Sequence, residues 1–142
     1  MKRIILPFLL LLMAVTMHGQ QQVSVDSTFI GRYVNKDLKI FLVVNFIDKN
    51  ITVKDQDILG ELDGYFGCTE CQHVWPIVDA DVEGQSSRID VINNYCSEDF
   101  RATLTRRADG TIVFRHQEGS TFKFPIPGKW HKIPTKVIFT PE

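Results

Sequence analysis

The chain has 142 residues, 44% of them hydrophobic and 23% charged, and its 16 basic and 17 acidic residues give a formal net charge of −1. These values are typical of one globular domain and exclude a disordered tail, a collagen-like repeat and a multi-span membrane protein. Removal of Lys2 and Arg3 with a leader would leave 14 basic and 17 acidic residues, a net charge of −3. Without an excess of basic residues we expect no nucleic-acid partner.

Residues 1–19 have the order of a secretory signal peptide. The basic pair Lys2-Arg3 precedes an apolar run at 4–15, and small and polar residues follow. A run of 12 residues is too short to anchor a protein in a hydrocarbon core about 30 Å thick. We therefore predict a cleaved signal peptide, export to the periplasm or the extracellular space, a single β domain at 20–142 and no stable membrane anchor after cleavage.

Downstream of the leader the sequence predicts an almost entirely β protein. Helical periodicity is absent from the sequence pattern, whereas short segments rich in Val, Ile, Phe and Thr alternate with polar residues. The predicted strands are 29–34, 38–47, 51–54, 59–66, 72–80, 87–95, 100–106, 111–117, 121–124 and 136–140. Tight turns join them, so we predict an antiparallel meander of about 8 to 10 strands. The meander forms a small barrel or a sandwich, and we favour the barrel because closure removes exposed sheet edges.

The turn around Gly110 predicts the register of one hairpin. A three-residue loop, with Gly110 in the left-handed conformation, places Leu104 opposite Phe114 and Ala102 opposite His116. The same reasoning at the next turn places Phe114 opposite Phe122 and Ile112 opposite Phe124. One apolar wall is therefore predicted, comprising Phe100, Leu104, Ile112, Phe114, Phe122 and Phe124.

Four prolines interrupt the last 18 residues, namely Pro125, Pro127, Pro134 and Pro141. Proline cannot donate a ladder hydrogen bond in a central strand. We expect this segment to run along a sheet edge or to fold over one mouth of the barrel.

Two short motifs resemble known groups of proteins. Gly31-Arg32-Tyr33 in the first strand resembles the Gly-x-Trp opening of the calycins, the lipocalin, fatty-acid-binding and avidin group, with Tyr33 in the position of the Trp. The resemblance implies the architecture of a ligand-holding barrel. A short exported chain with a Gln run after its leader is also similar to small secreted proteins of Bacteroidota, and Asp-Ser-Thr at 26–28 resembles their O-glycosylation acceptor.

The stretch from Cys68 to Cys71, followed by His73, is the most chemically suggestive part of the chain, and Cys96 completes a count of 3 cysteines. A redox dithiol would need a helix N-terminus to lower a thiol pKa, whereas this pair enters a strand. A zinc site built from Cys68, Cys71, His73 and Cys96 would need thiols that stay reduced after export, which is uncommon. We therefore predict no metal site and favour a disulfide.

The hairpin that turns at a Glu-Gly pair indicates which cysteines are joined. Its expected register places His73 opposite Asn94 and Cys71 opposite Cys96, and directly opposed cysteines can be bridged. We predict a Cys71–Cys96 disulfide worth about 3 kcal/mol on a chain-entropy estimate. Cys68 is the alternative partner.

Aromatic residues are the candidate ligand contacts. Trp130, Tyr65 and Trp75 have the chemistry to stack on a sugar ring or to line a ligand cavity, although the alternation around Trp75 also fits core packing. The surroundings of Trp130 are basic and suited to an acidic partner. The basic residues are Lys129, His131, Lys132 and Lys136.

The sequence contains only weak patterns for catalysis and for calcium binding. The histidines His73, His116 and His131 are scattered and belong to no nucleophile or metalloprotease motif. The carboxylates at 55–63 only faintly resemble a calcium loop, because Leu59 occupies a ligand position. We expect no enzymatic activity and no cofactor.

The expected function is that of an exported, non-catalytic binding module that holds a small apolar ligand or a glycan. The alternatives are a protein-interaction or inhibitor domain, such as an immunity or envelope protein, and an enzyme. The barrel interior distinguishes the first two interpretations. A cavity of a few hundred Å³ favours ligand binding, whereas an interior filled by Phe and Ile favours protein interaction.

Overall fold

The computed structural model describes residues 29–142, which form ten β-strands and one helical turn of the 3-10 type. The strands are β1 Ile30–Asn35, β2 Ile40–Asn45, β3 Gly64–Cys68, β4 Trp75–Glu83, β5 Ser86–Ile92, β6 Asp99–Arg106, β7 Ile112–Gly119, β8 Lys123–Ile126, β9 Lys129–Lys132 and β10 Lys136–Pro141. The predicted signal peptide at 1–19 lies outside the described residues. Within 29–142, no helix has the length and apolar character needed to cross a membrane.

Eight of the strands form a closed antiparallel barrel in the order β1-β10-β7-β6-β5-β4-β3-β2. The predicted all-β fold is therefore correct, and the barrel is the right choice over the sandwich. The seam between the first and last strands is short, with the residue pairs Tyr33–Pro141 and Val34–Thr140. Strands β8 and β9 form a separate hairpin, inserted in the chain between β7 and β10.

Alternating burial along the strands fills the barrel with apolar side chains. In β2, Ile40, Leu42 and Val44 are buried while their neighbours are partly exposed, as expected for a strand with one face in the core. The largest fully buried side chains are Trp75, Phe29, Phe66, Phe114, Phe122, Phe124, Phe139, Ile40, Leu42, Ile77, Ile89 and Leu104. The interior is thus packed with Phe, Ile and Leu.

The three-residue loop before β7 has the predicted register. Leu104 pairs with Phe114 and Ala102 pairs with His116. Gly110 has a φ of +90°, a conformation that costs a glycine little and most other residues much more. The turn chemistry around this glycine therefore aligns β6 and β7.

The predicted strand at 51–54 is wrong. This segment makes one isolated bridge, Ile51–Leu62, and a helical turn at Asp57–Leu59 occupies the start of the next predicted strand. Val53 packs with Leu62 and Val74 in a small cluster outside the barrel core. The apolar residues here are used for packing on the outside of the barrel, so strand pairing resumes only at Gly64.

The predicted pairing of β7 with β8 is also wrong. Phe114 of β7 pairs with Val137 of β10, whereas β8 pairs with β9. The chain turns away from the sheet at Gly119, whose φ is +106° and where a Cβ atom would lie 2.7 Å from the backbone of Phe100. Phe122 still joins the apolar wall, because its ring packs 5.2 Å from that of Phe114.

The β8–β9 hairpin covers the end of the barrel at which β3 ends and β4 begins, which we call the hairpin end. Phe122 and Phe124 point into the core, and the Trp75 Nε1–H donates a hydrogen bond to the carbonyl oxygen of Lys123 at 2.9 Å. Of the two expected placements for the proline-rich segment, folding over a barrel mouth describes this hairpin. The last strand, β10, instead completes the barrel.

Phe66 lies at the centre of the core and provides a test of the packing. Its ring is 5.4 Å from Phe114 and 5.0 Å from Phe122. We expect Phe66→Ala to lower the free energy of unfolding by about 3–5 kcal/mol, because a large cavity would remain. Denaturant unfolding measures the effect, with Ile58→Ala as the control, since Ile58 is 92% exposed. Equal stability of the two variants would show that Phe66 does not contribute to the packed core.

Candidate functional site

An open cleft of about 820 Å³ lies on the outer surface of the barrel at its hairpin end. We call it the outer cleft. Its floor consists of Phe41, Tyr65 and Gly67 on the outward face of β2 and β3, and its walls come from the loop at 53–58 and from residues near the hairpin end. The residues of the second wall are Cys71, Gln72, His73, Val74, Asn94, Tyr95, Pro125 and Trp130.

The floor of the outer cleft depends on the absence of a side chain at Gly67. Phe41 pairs with Gly67 across β2 and β3. A Cβ atom at position 67 would lie 2.4 Å from the Phe41 ring, which is far inside van der Waals contact. Tyr65 meets the Phe41 ring edge-on at 5.9 Å. Glycine therefore lets Phe41 lie across the strand and form an aromatic floor with Tyr65.

His73 stands in the wall of the outer cleft, surrounded by four aromatic rings. Its ring centroid is 5.4 Å from that of Trp130, 5.8 Å from Trp75, and 6.1 Å from both Tyr95 and Phe124. Burial lowers the pKa of His73, with Glu98 opposing the shift and Lys123 adding to it. The imidazole is therefore neutral at pH 7.

Two polar atoms at the outer cleft are buried without a hydrogen-bond partner among residues 29–142. They are Nε2 of His73 and Oδ1 of Asn94. An unpaired buried polar group costs a fold about 1–3 kcal/mol, so such groups call for an explanation. Both atoms belong to residues that line the same cleft.

Exposed aromatic surface rims the outer cleft. Trp130 on β9 is 52% exposed and Tyr95, in the turn after β5, is 73% exposed. The Lys123 ammonium group lies 5.4 Å from the centroid of the Trp130 ring, within the range of a cation–π contact. Large aromatic faces that remain in water are unusual for a core function and suit a binding function.

The structure brings together two of the three aromatic residues predicted to bind a ligand. Tyr65 and Trp130 line the outer cleft, whereas Trp75 is fully buried in the barrel core. Sequence reasoning did not select His73 or Asn94 as ligand contacts. The predicted register placed the two residues opposite each other, but the ladder between β4 and β5 does not extend to either of them.

The predicted Cys71–Cys96 disulfide is not present, and all three cysteines are free. Strand β4 begins at Trp75 and β5 ends at Ile92, so neither cysteine belongs to the ladder between them. The register also shifts by one residue after the Ile77–Val91 pair. Both differences remove the direct opposition on which the predicted bridge depended.

Cys68 and Cys71 instead line the outer cleft as neighbouring thiols. Burial raises the pKa of Cys71 to about 12, and the adjacent Cys68 thiol contributes to the increase. Cys71 is therefore protonated at neutral pH, which is the opposite of what a reactive dithiol requires. The zinc alternative is not assembled either, because the described residues contain no group of three or more His, Cys, Asp or Glu side chains placed to hold a metal ion.

The other predicted polar residues lie apart from the floor of the outer cleft. The Nε2–H of His116 donates to the carbonyl oxygen of Ser120 at 2.8 Å. The basic residues Lys129, His131, Lys132 and Lys136 are exposed on β9 and at the start of β10. Lys129, His131 and Lys132 form an accessible basic edge beside Trp130 on β9.

Comparison of the chain with protein-family models, with curated proteins and with solved structures finds no match.

The lowered pKa of His73 predicts a pH dependence of stability. Because the folded-state pKa lies below the unfolded value of about 6.5, this residue contributes no penalty above that pH. As the pH falls below 6.5, protonation of the unfolded chain lowers stability until the folded-state pKa is passed. We expect His73→Phe to remove this part of the pH dependence. An NMR titration gives the pKa directly, and a value above 6.5 would contradict the inferred burial.

The environments of the thiols predict an order of alkylation. Cys96 is exposed, Cys68 is buried and Cys71 has a raised pKa, so iodoacetamide should label Cys96 first and Cys71 much more slowly. Peptide mass spectrometry of the native protein after short exposures measures the order. Fast labelling of Cys71, or its absence from labelling because of a bridge to Cys96, would contradict the structure.

Proposed function

We propose that this protein is an exported, non-catalytic binding module that holds a glycan in the outer cleft. The observation that carries the proposal is the group of three aromatic residues around one cleft, with Trp130 and Tyr95 exposed and Tyr65 half-buried. A volume of about 820 Å³ falls in the range of small-molecule sites, which is roughly 300–1,000 Å³.

The packed interior supports a site outside the barrel. A calycin-like binding mode would place the ligand between the sheets, in the space that Phe66 and its aromatic neighbours occupy here. The filled core argues against the enclosed apolar ligand that the resemblance to calycins implies.

The chemistry of the outer cleft favours a glycan. A pyranose ring has C–H groups on its faces and hydroxyl groups around its rim, so it can stack on an aromatic ring and form hydrogen bonds at the same time. The negative face of an aromatic ring attracts the C–H groups. The cleft supplies amide groups from Gln56, Gln72 and Asn94 alongside its aromatic rings. Its charged lining residues, Lys54, Asp55 and Asp57, carry both signs.

The proposed absence of catalysis rests on two features of the outer cleft. The raised pKa of Cys71 disfavours a thiolate nucleophile, and the His73 imidazole packs against four aromatic rings. A base held against an activated nucleophile is the arrangement that catalysis would need. The proposed export and release into the periplasm or the extracellular space rest on the N-terminal sequence alone.

A protein partner is the second candidate, because Ile58, Tyr95 and Trp130 expose large apolar side chains around the same cleft. Tyr and Trp are enriched among the residues that dominate protein–protein binding energy. The interior packed with Phe and Ile also favours this interpretation over an enclosed ligand. An inhibitor or envelope-assembly protein would use this surface in the same way.

A glycan array with the intact protein, followed by calorimetry on the retained glycans, tests the proposed function. We expect Trp130→Ala and Tyr65→Ala each to weaken binding by about tenfold or more, because a lost stacking contact is worth on the order of 1.4 kcal/mol. Ile138→Ala is the control, since Ile138 is a partly exposed apolar residue of β10 and does not line the cleft. Retention of no glycan, together with a protein partner in native mass spectrometry of material from the host, would favour the second candidate.

A further inference from the structure

We infer that His73 Nε2 and Asn94 Oδ1 bind hydroxyl groups of an uncharged sugar that stacks on Trp130. This inference rests on the proposed function, since it assigns the polar contacts and the ligand chemistry of the same cleft. Both atoms are buried and lack a partner among the described residues, and both residues line the outer cleft. The sugar hydroxyls would complete the hydrogen bonding that residues 29–142 leave open.

The two polar atoms favour a hydroxyl group over other functional groups. The Asn94 oxygen only accepts hydrogen bonds, so its ligand must donate. A neutral imidazole nitrogen either donates or accepts, depending on the tautomer. A hydroxyl group can do both and therefore satisfies each atom, whereas a carboxylate or phosphate oxygen has no hydrogen to give to Asn94.

The charges around His73 also favour an uncharged ligand. The charged groups that affect this residue are Glu98 and Lys123. Their side chains are 3.7 Å apart and partly neutralise each other. This pair therefore offers no unopposed charge to a charged ligand.

The stacking surface of Trp130 and the polar contact at His73 are close enough to serve one sugar ring. The planes of His73 and Trp130 are perpendicular, with centroids 5.4 Å apart. Tyr95 lies on another side of the same imidazole, at 6.1 Å. A pyranose lying on Trp130 would thus have its hydroxyl-bearing rim beside the His73 wall.

The packing of His73 gives a reason to assign the nitrogen to binding rather than to stability. Four aromatic rings contact the imidazole, and a phenylalanine ring at this position would fit the same neighbours without an unpaired nitrogen. Replacement of an unpaired buried polar group by an apolar group of similar shape is nearly neutral or stabilising. His73→Phe and Asn94→Leu are therefore suitable variants for separating binding from folding.

The test uses methyl glycosides of glucose, galactose and mannose, their uronic acid counterparts and their monodeoxy analogues. Isothermal calorimetry and the indole N–H signal of Trp130 report binding to the intact protein and to each variant. We expect His73→Phe and Asn94→Leu each to weaken binding of a neutral glycoside by about tenfold, the effect of 1.4 kcal/mol, with no fall in melting temperature. Gln85→Ala is the matched control, because Gln85 is an exposed amide in the turn between β4 and β5 and does not line the cleft.

Deoxy analogues keep the test independent of how the variants fold. We expect the protein to bind one monodeoxy glycoside about tenfold more weakly, and His73→Phe or Asn94→Leu to abolish that difference. Equal binding of all monodeoxy analogues would overturn the hydroxyl contacts, and tighter binding of uronic acids than of neutral sugars would overturn the preference for an uncharged sugar. Either result would leave glycan binding intact. Failure of the protein to bind any saccharide would overturn the proposed function as well.

Discussion

The aromatic packing around Phe66 is the interaction on which the rest of the structure depends. Its ring contacts Phe114 of β7, Phe122 of the hairpin segment and Phe139 of β10, at 5.4, 5.0 and 5.9 Å. One residue of β3 thereby joins the opposite side of the barrel to the segment that covers its mouth. Because these rings occupy the interior, the surface available for binding lies outside the barrel.

The β8–β9 hairpin links the core to the outer cleft. Phe124 faces the core, while Pro125 and Trp130 line the cleft. His73 contacts both the core-facing and the cleft-lining side chains of the hairpin, since its ring lies near Phe124 and near Trp130. The cleft wall is thus supported by the same side chains that close the barrel, which gives the proposed sugar contacts a rigid base.

The sequence predicts the barrel better than the cleft, and the reason is physical. Alternating burial and the glycine turn at Gly110 are local signals, so the meander and the β6–β7 register follow from them. The cleft depends on places where the chain departs from the regular alternation of buried and exposed residues. The register shift after Ile77, the packing of Val53 outside the barrel and the exit of the chain at Gly119 each break the alternation. Tyr65 and Trp130 were recognisable as aromatic candidates, whereas the unpaired atoms of His73 and Asn94 become visible only in three dimensions.

The seam of the barrel has a consequence for how the chain folds. Val34 pairs with Thr140 at a sequence separation of 106 residues. The β8–β9 hairpin lies between β7 and β10 in the chain, so β10 joins the barrel only after this hairpin. Contacts between such distant segments form slowly, because the loop entropy is lost before the contact stabilises the chain. Until β10 arrives, β1 and β7 have unpaired edges, and the last strand of one molecule can insert into the gap of another. Barrel closure is therefore the step at which this protein is most exposed to strand exchange and aggregation.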